Sequence, residues 1–391
     1  MNANVAGLAP VERIIAPWRR AEAYARAQVF GRPTLVIDLD EVAARYRAFR
    51  RGLGRAVIHY AVKANPAREV IARLVEEGAH FDAASRAEIE LCLSLGARPE
   101  DVSFGNTVKK PADIAFAWSV GVGVFAADAD EELEKIAENA PGAEVYIRLL
   151  VERSEADWPL SRKFGVPAAG AAPLLRRARE LGLKPVGFSF HVGSQTRRAA
   201  MWRSALEDLA PVWAAARAEG FDLDLVNIGG GFPAFYEEEI DEPESYAAEV
   251  MTMIEASFPG ARRVMAEPGR GLVAEAGVIA AEVVLVSRRS PDDIHRWVYL
   301  DIGRFSGLAE TEGESIRYHI ATPHDGLPGG PCVLAGPSCD SADVLYEKRP
   351  MEMPLALKSG DRIFIRAAGA YTTTYSSVGF NGFPPLDVIC I

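Results

Sequence analysis

Strand-like and helix-like segments alternate from residue 56 to residue 267, and this alternation constrains the fold more than any other feature of the chain. Eight runs rich in β-branched and aromatic residues cover 56–62, 80–84, 102–106, 122–126, 144–150, 185–191, 224–229 and 263–267. Helical patterns lie between them, among others at 69–77, 86–95, 130–139, 168–181, 199–219 and 246–258. Eight such units predict a parallel TIM-type (β/α)8 barrel. A doubly wound sheet is disfavoured because no G-x-G-x-x-G or P-loop sequence is present.

The pattern changes after about residue 276. Helical periodicity nearly disappears, and Gly and Pro turns separate strand-like runs at 278–286, 297–301, 332–335, 361–366 and 387–391. This predicts a separate β-rich domain of sandwich-like or barrel-like form. The first 30-odd residues lie outside the barrel pattern and could pack onto that domain. The predicted division is therefore 38–275 for the barrel, with 1–37 and 276–391 for the β domain.

Charge and cysteine content limit the classes of function. The net charge of −11 argues against a surface for nucleic acid or for an anionic membrane. The four cysteines are scattered without metal-ligand spacing, which indicates a reduced cytoplasmic protein and no metal site. The N-terminal residues lack the uninterrupted apolar run of a signal peptide, and no apolar run is long enough to span a membrane.

Reactive or small residues occur where the predicted barrel strands end. TIM-barrel active sites lie at the carboxyl ends of the strands, so these positions are expected to share one face of the barrel. A random scatter of polar residues would not select one end of the sheet so regularly. The residues are Lys63, Asp82, Asn106, Arg148, His191, the glycines at 229–231, and Glu267 with Gly269 and Arg270.

Together these residue types predict one ligand. A desolvated lysine with a lowered pKa at Lys63 would suit Schiff-base chemistry. Successive glycines at 229–231 and the nearby Arg270 could hold a phosphate, and His191 offers a flat ring. A phosphorylated aldehyde with an aromatic nitrogen fits all of them, namely pyridoxal 5′-phosphate, with a strand-end carboxylate keeping the ring nitrogen protonated.

Nine motifs, in this order along the chain, resemble the fold-type III pyridoxal-phosphate decarboxylases of the alanine-racemase-like barrel family. The bacterial ornithine/lysine decarboxylases are the branch that they resemble most. The motifs are AVKAN at 61–65, FDAAS at 81–85, WPLSRKFG at 158–165, HVGS at 191–194, GGGFP at 229–233, EPGR at 267–270, GPSCDSAD at 336–343, GAYT at 369–372 and FNGF at 380–383.

The resemblance implies roles for these strand-end residues, Asn106 excepted, and for Ser194 and Tyr371. Lys63 would bond to the cofactor aldehyde, Glu267 would pair with the ring nitrogen, and His191 would stack on the ring. The residues that would flank the cofactor or hold its phosphate are Asp82, Arg148, Ser194, Gly229, Gly230, Gly231, Gly269, Arg270 and Tyr371.

The resemblance also implies a homodimer with shared active sites. Cys339 would protonate the substrate carbon in the partner's site, and Asp340 would bind the distal ammonium. Lys163 and Asp343 would pair across the interface, and Phe380 would line the substrate channel. A thiol beside an acid, in a turn, suits a proton donor, although a lone cysteine is more often a small buried apolar residue.

The expected reaction is decarboxylation of L-ornithine to putrescine, a step of polyamine biosynthesis. Asp340 and the acidic residues Glu310, Glu312 and Glu314 are predicted to bind the cationic tail. Related bacterial enzymes carry Met and Asp where this chain has Glu312 and Gly313, so lysine or a modified ornithine stays an alternative. Diaminopimelate decarboxylase, an amino-acid racemase and a catalytically silent binding protein are further alternatives.

Overall fold

The computed structural model describes residues 16–152 and 163–391. Its strands are β1 Thr34–Ile37, β2 Val57–Ala61, β3 His80–Ala83, β4 Val102–Phe104, β5 Val124–Ala127, β6 Glu144–Arg148, β7 Lys184–Ser189, β8 Leu225–Asn227, β9 Arg263–Ala266, β10 Gly277–Ser287, β11 Arg296–Leu300, β12 Ile320–Ala321, β13 Gly329–Ala335, β14 Met351–Pro354, β15 Arg362–Arg366 and β16 Asp387–Cys390.

The α-helices are α1 Arg19–Ala27, α2 Leu39–Leu53, α3 Arg68–Glu76, α4 Arg86–Ser94, α5 Pro111–Ser119, α6 Asp130–Asn139, α7 Ala168–Glu180, α8 Arg203–Ala218, α9 Pro243–Ser257 and α10 Arg270–Val273. Short 3-10 helices cover Val62–Ala64, Pro99–Asp101, Ala199–Trp202, Ala309–Glu314, Thr373–Tyr375 and Phe380–Gly382. Within the described ranges, no helix is long and apolar enough to cross a membrane.

Strands β2 to β9 form a closed parallel barrel, in chain order, and all eight predicted barrel strands are confirmed. Local sequence explains how each strand passes into its helix. After β3, for example, Ser85 caps α4 by accepting a hydrogen bond from the Glu88 N–H, while the Glu88 carboxylate accepts one from the Ala84 N–H. Because the barrel strands are all parallel, the strand-to-helix loops lie at one end of the barrel.

The remaining strands form a separate eight-stranded sheet, which confirms the predicted β-rich domain. All five predicted strands of this region are present, as β10, β11, β13, β15 and β16, whereas β12 and β14 were not predicted. From the N-terminal segment, β1 pairs antiparallel with β10 and parallel with β16. The domain boundaries 38–275, 1–37 and 276–391 stay a prediction.

Candidate active site

Lys63 lies in the 3-10 turn directly after β2, at the carboxyl end of the barrel. Its ammonium is 3.4 Å from Oδ2 of Asp82, the third residue of β3. Burial lowers the pKa of Lys63, but the charges of Asp82, Tyr371 and Glu267 together raise it above its ordinary value. The sequence-based expectation of a lowered pKa was therefore wrong, because it considered desolvation without the acids that surround the amine.

Glu267 follows β9 and faces the same cluster. Burial, and then the charge of Asp82, raise the pKa of Glu267 to about 7. Asn227, the last residue of β8, opposes this shift by donating a hydrogen bond of 2.5 Å from Nδ2 to Oε1 of Glu267. Asn227 was not among the predicted site residues, because it lies inside the predicted strand 224–229, two residues before the glycine run. The observed strand ends at Asn227, so a strand end placed there would have indicated it.

His191 lies two residues beyond the end of β7 and is held as a neutral ring. Burial and the nearby charges of Arg148 and Lys63 lower its pKa to about 3. The Gly193 N–H donates to His191 Nδ1 at 3.0 Å, which places the ring proton on Nε2. A neutral ring in a fixed orientation suits the stacking role predicted from the resemblance.

The glycines at 229–231 bring the backbone close to the other strand ends. A Cβ at Gly230 would lie 2.9 Å from both Nε2 of His191 and the Glu267 carbonyl oxygen, so a side chain there would fill the site. Gly229 and Gly231 have φ of +66° and +102°, which favours glycine. The turn, called the glycine cradle below, therefore packs directly against the imidazole of His191.

Arg270 begins α10 and is almost fully buried at the same end of the barrel. Its guanidinium donates to Ser194 Oγ at 3.1 Å and to the Tyr236 hydroxyl at 3.1 Å. A Cβ at Gly269 would lie 3.2 Å from the Tyr371 hydroxyl, so that residue reaches the same place. Ser194, Gly269, Arg270 and Tyr371 are thus brought together as predicted; Tyr236 was not anticipated, and no sequence motif indicated it.

The structure places the acidic segment differently from the prediction. Glu310 accepts two hydrogen bonds from Arg270, at 2.6 and 2.8 Å. Glu314 is buried, pairs with Arg317 at 2.9 Å and accepts hydrogen bonds from the Lys348 and Arg349 N–H groups.

Glu312 is exposed and pairs with Arg304. Within the chain, the carboxylates of Glu310 and Glu314 are occupied by arginines, which disfavours their predicted contact with a substrate ammonium. The run of acids is visible in the sequence, but the arginines with which these acids form ion pairs are not.

Cys339 and Asp340 lie exposed in a turn of the β domain. The Asn381 side-chain oxygen accepts hydrogen bonds from the Cys339 N–H at 3.1 Å and from its thiol at 3.5 Å. Phe380, beside Asn381, packs against Phe305 with ring centroids 4.9 Å apart. This arrangement joins the GPSCDSAD and FNGF motifs on one exposed surface.

Asp343 is buried beneath this turn. Its carboxylate accepts hydrogen bonds from the Arg304 N–H at 2.8 Å and from the Ser338 N–H and hydroxyl at 3.1 and 2.7 Å. Lys163 is exposed, with its ammonium 5.0 Å from the Phe164 ring centre. A pairing of Lys163 with Asp343 of a second subunit stays a prediction, and residues 158–162 of the WPLSRKFG motif lie outside the described residues.

Residues 39–274 match the family model for the pyridoxal binding domain of pyridoxal-dependent decarboxylases, which is more than half of the chain. The chain belongs to this family. The lysine/ornithine decarboxylase of Selenomonas ruminantium is 34% identical over 90% of this chain and 87% of its own length. The ornithine decarboxylase of Caenorhabditis elegans is 32% identical, covering 89% of this chain and 85% of the relative.

Solved structures agree with this assignment. The lysine/ornithine decarboxylase of Vibrio vulnificus complexed with putrescine superposes with a TM-score of 0.83 at 32% identity, covering 95% of this chain and 97% of that chain. The protein is therefore a lyase that decarboxylates a basic amino acid with pyridoxal 5′-phosphate as cofactor.

The residues present fit this cofactor. Asp82 Oδ1 is buried and, within the described part of the chain, accepts no hydrogen bond, so it is available to a bound group. The backbone of the glycine cradle could contact a phosphate together with Ser194 and Arg270, whose side chains are hydrogen-bonded to each other. The amine of Lys63 and the carboxylate of Glu267 supply the two other groups that an aldehyde and a ring nitrogen require.

Proposed function

We propose that the protein converts L-ornithine to putrescine and so contributes to polyamine biosynthesis. The observation that carries this proposal is the cluster of Lys63, Asp82, His191 and Glu267 at one end of the barrel, together with the exposed Cys339–Asp340 turn. When bound, pyridoxal phosphate supplies an electron-accepting ring that takes up the electrons of the bond to the departing carboxylate.

The residues of the barrel hold and orient the cofactor in this proposal. Lys63 would present Nζ to the aldehyde, and Glu267 would present a carboxylate to the ring nitrogen. His191 would cover one ring face as a neutral imidazole. The remaining contacts are assigned to the flanking residues Asp82 and Arg148 and to the phosphate-binding residues Ser194, Gly229, Gly230, Gly231, Gly269, Arg270 and Tyr371.

The Cys339–Asp340 turn would act in the site of a second subunit. Cys339 Sγ would give its proton to the α-carbon after carbon dioxide leaves, and Asp340 would pair with the distal ammonium. Both residues are exposed in the single chain, as is Phe380 at 37%. The homodimer would place them, and the Lys163–Asp343 pairing, at its interface.

A cytoplasmic location completes the proposal. All four cysteines are unpaired, and two of them, Cys92 and Cys332, are buried. Free thiols persist in a reducing compartment, which favours the cytoplasm over an oxidising one.

The test is an assay of carbon dioxide release from L-ornithine, L-lysine, L-arginine and diaminopimelate. We expect the highest kcat/KM with ornithine. Lysine should follow at a ratio of about 10–200, since one methylene in an apolar channel is worth about 1–3 kcal/mol. Highest turnover of diaminopimelate, or none of any basic amino acid, would overturn the proposal.

The segment at 309–314 gives lysine or a modified ornithine as the second candidate. Gly313 adopts a φ of +62° and Glu312 an extended conformation, so the 3-10 helix is kinked there. Because this kink lies in the segment that departs from related enzymes, the pocket could admit a longer substrate. A higher kcat/KM for lysine or an N-acylated ornithine than for ornithine would favour this candidate.

A further inference from the structure

Among the strand-end residues, Asn227 connects the glycine turn to Glu267 through its side-chain amide. It ends β8 and is fully buried, with none of its surface exposed. Its Oδ1 accepts a hydrogen bond of 2.9 Å from the Gly229 N–H. Because that N–H can only donate, it fixes which end of the amide is oxygen, and the amide NH2 must point to Glu267, where the 2.5 Å bond is found.

A closed ring of hydrogen bonds results. The Glu267 N–H donates to the Gly229 carbonyl at 2.8 Å, so Gly229 is held on both sides, by the side chain of Asn227 and by the backbone of Glu267. The glycine turn and the carboxylate therefore cannot shift independently. A change at Asn227 must reach both the phosphate cradle and the carboxylate.

The surroundings of Glu267 explain why such a donor is needed. Burial and Asp82 on β3 favour the protonated acid, while Lys63 after β2 and Arg148 on β6 favour the ion. Tyr146 on β6 faces the same group, and burial raises its pKa well above its ordinary value, so it carries no charge near neutral pH. With the pKa of Glu267 raised to about 7, a charge-assisted hydrogen bond decides its protonation near neutrality.

We propose that Asn227 is a positioning residue that keeps the Glu267 carboxylate ionised and aimed at the cofactor ring while anchoring it to the glycine turn. The inference rests on the proposed function in one respect, the role of Glu267 at the ring nitrogen. It assigns to Asn227 no contact with the substrate or with the cofactor.

The test measures the dissociation constant of pyridoxal 5′-phosphate and its visible absorption from pH 5.5 to 9.5, in wild type and in variants. In Asn227→Leu the donor is lost, so Glu267 should stay protonated to higher pH. The pH below which cofactor binding weakens should rise by one to two units, about the worth of a hydrogen bond to a charged group.

Asn227→Asp should act in the opposite direction. Two carboxyl groups at this distance cannot both ionise easily, so they should share one proton and keep the hydrogen bond at low and neutral pH. Binding should then resemble wild type on the acid side and weaken on the alkaline side. Because this replacement is isosteric, it keeps the test decisive if Asn227→Leu fails to fold.

Asn106→Leu is the matched control, since it removes the same amide two residues after β4, where the Asn106 side chain donates to the Ala84 carbonyl and accepts from the Val108 N–H. It should leave the pH profile in place. The inference would be overturned if the pH profiles of cofactor binding in both Asn227 variants coincided with that of wild type. It would also be overturned if both variants changed the same limb of the profile in the same direction. Glu267→Gln separates the role of Asn227 from the proposed role of Glu267 at the ring nitrogen. If this variant leaves cofactor binding and the pH profile of binding unchanged, the proposed role of Glu267 fails as well.

Discussion

Deleting the carboxylate of Glu310 should destabilise the cofactor-free protein strongly. Arg270 and Glu310 form a buried pair, with only 4% and 9% of their side chains exposed. In Glu310→Ala the guanidinium would lose two hydrogen bonds of 2.6 and 2.8 Å and would stay buried without a counter-charge. Breaking such a pair costs about 3–5 kcal/mol, and the remaining bonds to Ser194 and Tyr236 favour the lower end of that range.

The assay is urea unfolding of the cofactor-free protein at one fixed protein concentration. Glu312→Ala is the matched control, because it lies in the same 3-10 segment and pairs with Arg304, but its side chain is 63% exposed. An exposed pair is worth about 0–1 kcal/mol, so the control should unfold almost like wild type.

Saturating pyridoxal phosphate gives a second readout. A phosphate next to Arg270 would replace the lost negative charge, so the cofactor should recover part of the stability lost in Glu310→Ala. The reasoning is that Glu310 balances the charge of a phosphate-binding arginine. Equal losses of unfolding free energy in Glu310→Ala and Glu312→Ala would refute it, and so would a loss in Glu310→Ala that the cofactor leaves unchanged.

Three further predictions concern the exposed turn and the second subunit. Cys339→Ala should bind the cofactor normally but form diamine more slowly, with part of the product appearing as an aldehyde by mass spectrometry; an unchanged rate with clean diamine would exclude Cys339 as proton donor. Mixing inactive Lys63→Ala with the slower Cys339→Ala should add roughly a quarter of wild-type activity to the residual rate, since half of the dimers would each hold one intact site; no gain after demonstrated subunit exchange would place both residues in one subunit. Asp340→Ala should raise the KM for ornithine far more than that for an uncharged analogue of equal length, whereas equal effects would contradict its pairing with the ammonium.

The barrel could be predicted because its strands are short apolar runs with helices between them, a pattern that survives in a single sequence. Helix α5, Pro111–Ser119, was not among the helical segments named from the sequence, since it is apolar on most faces and shows little periodicity. Strand β1 was missed because four buried residues, Thr34–Ile37, show no alternation. The strand-end rule identified Lys63 and Glu267 because it depends only on where strands stop.

Pairings between distant segments could not be predicted in the same way. Glu310 and Arg270 are 40 positions apart and lie in different elements, so separate roles were predicted for them where the structure shows one buried pair. The pKa of Lys63 depends on its burial and on the charges of several nearby acids. Burial could be expected from the sequence, but the proximity of the acids could not. Asn227 belongs to none of the nine motifs, and its proposed role depends on the orientation of its side-chain amide, which the sequence does not show.

The central claim is that Lys63 carries the cofactor at the carboxyl end of the barrel. Borohydride reduction of the purified enzyme, followed by peptide mass spectrometry, tests it most directly. The account predicts a single phosphopyridoxyl adduct on the peptide that contains Lys63, and none on that peptide in Lys63→Ala. An adduct on another lysine of the wild-type enzyme, or cofactor still fixed at full yield in Lys63→Ala, would contradict it.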